Sequence, residues 1–184
     1  MTPSPILQQL RLGTRAAHDA LEAQSFNQAI QAGTISTAAT AHFLGRMYGF
    51  LLPYEAQLRQ HHFPAAWEIG RRQRAHLIAQ DLGAAVADLP LCGALPPLAT
   101  EAQLLGALYV MEGSTLGGQV IARQLAKAEV PLQAYFRGNG EATGPLWKSF
   151  CQLLSDAATN DKAPAIVESA RLTFQHLDAW LNQP

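Results

Sequence analysis

The chain has 184 residues, 48% hydrophobic and 15% charged, with a formal net charge of −1 when its six histidines are counted neutral. That composition excludes a disordered chain and allows one domain with a sizeable core, taken as residues 1–184. The near-neutral balance argues against a surface built for nucleic acid or an anionic membrane. The opening MTPSPILQQLRLG lacks the basic-then-apolar layout of a secretory signal, and no apolar run reaches the roughly 18 residues of a membrane span. Cys92 and Cys151 lie far apart with no CxxC spacing; they read as reduced thiols of a cytoplasmic protein.

The hydrophobic periodicity is helical almost throughout, and no run alternates with period two. Ser4-Pro5 marks a helix start, after which Leu7, Leu10, Thr14, Ala17, His18 and Leu21 follow three-four spacing. A second helix is expected from Ser36, with Pro53 kinking or interrupting it. A third is expected over Glu68 to Leu82, ending at Gly83. A proline-rich connection, DLPLCGALPPLAT, follows. Thr100 and Gln103 form a capping box that opens a helix running to about Ala128. Pro145 and Pro164 start the last two. The expectation is an all-α fold of about six helices.

Within the Thr100 helix, YVMEGSTLGGQVIARQL places Gly113, Gly117 and Gly118 where each costs roughly 1 kcal/mol relative to alanine. The order G-S-T-L-G is not a nucleophile elbow, which needs G-x-S-x-G on a strand-to-helix turn. It is not a phosphate loop, because no lysine follows Gly118. Two readings stay open. Gly106, Gly113 and Gly117, at spacings of seven and four, form one face for close helix packing. Alternatively, the missing side chains open a slot in which backbone approaches a flat ligand, and the glycines let the helix bend.

On the first helix, TRAAHDALE puts His18 on the apolar face. A lone histidine there is ordinarily a core residue. Glu22, one turn on, is placed to orient the imidazole, and Ala17 leaves room for a planar ring. Arg11 lies two turns back, roughly 10 Å along the axis, either as a solvated cation or as a partner for a carboxylate.

TRAAHDALE, FLGRMYGFLLPYE, YVMEGSTLGGQVIARQL and ARLTFQHLDAWL, in that order and spacing, resemble the haem oxygenase family, its bacterial branch in particular. The resemblance covers nearly the whole chain. It implies a multi-helix domain with haem sandwiched between the first helix and a glycine-kinked distal helix. By the same resemblance, His18 is the proximal haem ligand and Glu22 the acidic residue beside it. Arg11 and Tyr109 match positions that reach the propionates. Gly113 and Gly117, with Gly118 beside them, match the distal glycines over the iron. Tyr48 matches a polar residue of the distal water network. Ser114 stands where mammalian members carry aspartate, which leaves Ser114, Tyr48 or an arginine of RRQRAH to hold the distal water. Lys148 is the candidate for the second propionate.

The implied activity is a monooxygenase that opens haem with O2 and electrons to biliverdin, Fe2+ and CO. It needs an external donor such as a ferredoxin or flavoprotein reductase, and its product serves iron release or supplies a bilin to a phytochrome. Two alternatives are a non-catalytic haem-binding or transfer protein of the same fold, and a thiaminase-like enzyme that binds no haem. The last needs a pocket cysteine among carboxylates, a setting that neither Cys92 nor Cys151 shows. The other histidines and Trp67, Trp147 and Trp180 read as surface or packing residues.

Overall fold

The computed structural model describes residues 4–183, and all their regular structure is helical. The helices are α1 (Pro5–Glu22), α2 (Ser25–Ala32), α3 (Thr37–Leu58), α4 (Ile69–Arg72), α5 (Ala75–Leu82), α6 (Glu101–Lys127), α7 (Ala134–Arg137), α8 (Thr143–Ala157) and α9 (Ala163–Leu181). Among the described residues, no helix is long and apolar enough to cross a membrane.

The ends follow local chemistry. Pro5 starts α1, but Ser4 does not cap it; its hydroxyl pairs with that of Ser155 at 2.6 Å and ties α1 to α8. Ser36 accepts from the Ala39 amide at the start of α3. The capping box at α6 is complete: Thr100 Oγ1 accepts from the Gln103 amide at 3.3 Å, and Gln103 Oε1 accepts from the Thr100 amide at 3.0 Å.

Helix α6 runs through the centre of the core, packed on α9, which packs in turn on α1. Gly106 permits the first contact. A Cβ there would run into the Ile166 carbonyl oxygen and the Ala170 amide of α9. Leu10, Leu105, Leu108, Phe150 and Ile166 fill the shared interior.

Three expectations are corrected. Of the kink or interruption expected at Pro53, the interruption is absent, since α3 is continuous from Thr37 to Leu58. Proline has no amide to give the carbonyl four residues back, and the Gly49 carbonyl accepts instead from the Cys92 amide at 2.8 Å. Gly49 lacks the Cβ that would strike the Pro90 carbonyl, so the 89–98 segment can lie that close. Secondly, the helix expected over Glu68 to Leu82 is two, broken at extended Gln73. The Arg74 and Ala75 amides donate to one carboxylate oxygen of Glu55, at 2.6 and 3.0 Å, which caps α5 from α3. Thirdly, about six helices were expected and the described residues hold nine α-helices; among those not expected is α2, which ends at Gly33 in the left-handed region, φ 67°.

Candidate functional site

A cavity of about 350 Å3 lies between α1 and α6, within the range of roughly 300–1,000 Å3 usual for small-molecule sites. One wall carries His18, Leu21 and Glu22 of α1. The other carries Tyr109, Gly113, Ser114, Gly117 and Gly118 of α6. Phe43 and Met47 of α3, Trp147 of α8, and Phe174 and Leu177 of α9 complete a largely apolar lining.

The His18 side chain is half exposed, with Nε2 3.7 Å from Glu22 and Nδ1 3.8 Å from Asp19. Both separations exceed hydrogen-bond range, so the carboxylates face the ring without fixing its tautomer. Phe174 meets the imidazole edge-on at 5.7 Å between centroids. The donor atoms of His18, Asp19 and Glu22 lie within 4.8 Å of one another. A neutral imidazole at a cavity wall is a suitable nitrogen ligand for iron.

The glycines of α6 divide by neighbour. Around Gly117 a Cβ would meet nothing within 4 Å, and at Gly113 only the Trp147 ring at 3.8 Å. Both open onto the cavity. Gly106 packs against α9, and Gly118 lies against the Phe136 carbonyl, 2.8 Å from a would-be Cβ, while also lining the cavity. Close packing thus holds at Gly106, whereas Gly113 and Gly117, expected on the same packed face, leave open space along the cavity. None of these four has positive φ, so they provide space rather than a special backbone conformation.

Polar groups gather at one corner. Arg74, 4% exposed, donates from Nη2 to Ser114 Oγ and to the Met111 carbonyl, both at 2.8 Å. The Ser114 hydroxyl donates to that same carbonyl at 2.7 Å. The Arg74 guanidinium lies 5.0 Å from the centre of the Tyr135 ring. Asp81 of α5 accepts from the Ala134 and Tyr135 amides at 2.9 and 3.0 Å. It thus holds the start of α7, which carries Tyr135 and Phe136 into the cavity wall, and does not cap its own helix.

Behind this corner, Arg72 and Glu112 form a buried ion pair. Burial pushes the Glu112 carboxyl above its ordinary range, against the pull of Arg72 and Arg74. Burial likewise raises the Tyr109 phenol, with the Cys151 thiol adding to the rise and the Arg11 charge opposing it.

His18, Glu22, Tyr109, Gly113, Ser114, Gly117 and Gly118 thus meet at one cavity. Tyr48 does not. Phe43 and Met47, one turn apart, hold the cavity-facing stripe of α3, and the next residue is turned about 100° away. Of the three polar candidates, Ser114 and Arg74 are joined, and Tyr48 packs against the core instead. Arg11 is exposed and lies outside the lining, within electrostatic reach of Tyr109. Lys148 is exposed and also outside it. Trp147 and Tyr135 are wall residues that the sequence reading missed. Nothing in the spacing distinguished Trp147 from a packing tryptophan.

The profile of the family described as Heme oxygenase matches residues 4–183. A heme oxygenase from Xanthomonas campestris pv. campestris is 33% identical over 162 residues, spanning 84% of this chain and 95% of that relative. The crystal structure of heme oxygenase-1 from the cyanobacterium Synechocystis, in complex with heme, aligns with a TM-score of 0.76 at 16% identity over 96% of this chain and 90% of that one. The heme oxygenase of Leptospira interrogans aligns with a TM-score of 0.76 at 15% identity over 96% and 98%. With the profile matched across all but the ends and a relative aligned over most of both chains, this protein belongs to the haem oxygenase family.

Proposed function

We propose that the chain is a haem-degrading monooxygenase that opens haem to biliverdin, with release of Fe2+ and CO, using O2 and electrons from a ferredoxin or flavoprotein reductase. The observation that carries this reading is the cavity itself. An imidazole stands on one wall, and a stretch of helix bare of side chains at Gly113 and Gly117 forms the other. The cavity suits a flat, largely apolar ring with one nitrogen ligand. When bound, haem supplies the redox-active iron and is also the ring that is oxidised.

The protein's part follows from its own groups. His18 provides the nitrogen donor, and a neutral imidazole pushes less electron density onto iron than a thiolate does. Gly113 and Gly117 keep the distal wall free of an acidic side chain. Arg74 and Ser114 supply the polar corner, where an ordered water can be held. The apolar lining excludes bulk water. Arg11 and Tyr109 are offered as the propionate side of the ring, and Glu22 as a partner of the His18 imidazole. The bilin is released as free product or passed to an acceptor such as a phytochrome.

The test is one time course. Protein is mixed with one equivalent of haemin, and ascorbate or a ferredoxin system is added in air with catalase present. A Soret band that forms and then decays into biliverdin absorption supports the enzyme. A band that persists with a competent reductant identifies a haem carrier, and no Soret shift identifies a protein of this fold that binds no haem.

A further inference from the structure

Tyr135 belongs to α7, a single turn of helix, yet that turn is held from several sides. Asp81 Oδ1 accepts from the Ala134 amide at 2.9 Å, and Oδ2 accepts from the Tyr135 amide at 3.0 Å. At the other end of α7, Gln119 Nε2 donates to the Arg137 carbonyl at 2.6 Å. Phe136 stacks on Phe26 of α2 and Phe43 of α3, at 5.9 and 6.0 Å between centroids. Gly118 lets the segment close on α6, since a Cβ there would run into the Phe136 carbonyl. Tyr135 is thereby fixed in the cavity wall, only 5% exposed.

The hydrogens of the polar corner are unevenly committed. Arg74 Nη2 donates to Ser114 Oγ and to the Met111 carbonyl. Ser114 gives its own hydroxyl hydrogen to that carbonyl. The Tyr135 phenol lies within side-chain hydrogen-bonding reach of Ser114 and Arg74, and a guanidinium has no acceptor to offer. Among the described residues, the Tyr135 hydroxyl hydrogen is the one in this corner that no backbone carbonyl holds, so it is free to point into the cavity. Burial raises the phenol above its ordinary range, with Glu55 adding to the rise and Arg74 and Ser114 opposing it. The group therefore keeps its hydrogen at neutral pH.

We propose that Tyr135 binds dioxygen in this cavity by donating its hydroxyl hydrogen to it, and that Asp81 is the positioning residue of that phenol. The proposal rests on the proposed function, which supplies the iron. A hydrogen-bond donor favours O2, which draws charge onto its oxygens when reduced haem takes it up, over CO, which draws little.

The experiment loads the full chain with haemin, reduces it, and measures O2 and CO affinities by flash photolysis. Amide hydrogen exchange of the haem-free chain is followed alongside. Tyr135→Phe keeps the ring and its packing and removes only the hydroxyl. It should lower O2 affinity about ten-fold and leave CO affinity within about two-fold. Asp81→Asn keeps the phenol but offers the two amides one acceptor oxygen in place of two. It should speed exchange at the Ala134 and Tyr135 amides and lower O2 affinity several-fold, with CO again unmoved. The ratio of the two affinities is the telling quantity, because loosened packing alone weakens both gases alike. Unchanged O2 affinity in Tyr135→Phe, or an equal loss for both gases, overturns the donor. If that variant does not fold, an unchanged ratio in Asp81→Asn overturns it. Faster exchange in Asp81→Asn with an unchanged ratio overturns the positioning role. A wild-type chain that gives no Soret shift with haemin overturns the proposed function and the donor together, whereas a Soret shift with the ratio unmoved by Tyr135→Phe overturns the donor alone.

Discussion

Arg74 and Ser114 meet at 2.8 Å, Nη2 to Oγ, and so join the chain just before α5 to the turn of α6 that faces the cavity. The guanidinium also holds the Met111 carbonyl and lies against Tyr135, which makes it the fixed point of the polar corner. Arg74→Met should leave haem binding in place and slow ring opening by about ten-fold or more, since positioned proton donors contribute on the order of 10²–10⁴. Ser114→Ala should cost about 1 kcal/mol of stability and slow turnover less. Haemin titration and single-turnover spectra separate binding from chemistry. A folded Arg74→Met enzyme that turns over normally rules the corner out.

The glycines of α6 should respond in opposite directions. Gly106→Ala forces a Cβ into the backbone of α9, and overpacking of this kind costs about 1–3 kcal/mol or more. Gly117→Ala meets open space and should stabilise the apo chain by up to about 1 kcal/mol through helix propensity. Thermal melts of both variants test the split, and equal shifts would contradict it. Gly113→Leu would push against Trp147 and fill the slot, so haemin should give no Soret shift with that variant.

His18 is half exposed and makes no hydrogen bond among the described residues. His18→Ala should therefore change stability by less than about 1 kcal/mol while abolishing ring opening, with residual weak haem binding in the apolar slot. Normal turnover by that variant would remove the ligand assignment.

Tyr54 is buried, and among the described residues its hydroxyl has no hydrogen-bond partner. Burial raises its phenol above the ordinary range, with Glu112 and Glu55 adding to the rise and Arg74 opposing it. Tyr54→Phe removes an unpartnered polar group and should leave the protein as stable at neutral pH or more so, by about 1 kcal/mol. The sign of the pH dependence follows from the raised value. The unfolded phenol ionises first, so this stability is complete below the ordinary tyrosine pKa and is lost as pH climbs past it. Tyr109 and Tyr135 are raised as well and act in the same direction. Urea midpoints followed from neutral to alkaline pH should fall, and fall less steeply in Tyr54→Phe. An unchanged slope would contradict the assignment.

Arg72 and Glu112 stand or fall together. Either Arg72→Met or Glu112→Leu strands the other charge in the interior, at about 3–5 kcal/mol. The double variant should cost much less than the sum, because it strands neither. Urea unfolding of the three variants completes the cycle, and simple additivity would mean that the pair is not coupled.

Much of this architecture was readable from local rules. Pro5, the Thr100–Gln103 box and Gly83 mark helix ends where the structure has them. His18 and Gly113, nearly a hundred residues apart, were matched to one site through the family's motif. What escaped depended on partners distant in sequence. The break at Gln73 exists because Glu55 offers a better acceptor to two amides than a continued helix would. Arg74 was one of three candidate arginines, and only the fold selects it. Tyr48 sits one residue off the cavity stripe, a rotation that motif matching does not register.

Pro53 leaves α3 with a carbonyl that its own helix cannot serve, and the Cys92 amide serves it. On the ribosome, α3 therefore emerges with its ladder incomplete and stays so until a segment made much later has been synthesised. The middle of that helix gains its full set of bonds only when the proline-rich segment docks. Lengthening or nicking that segment should thus loosen a helix it never joins in sequence.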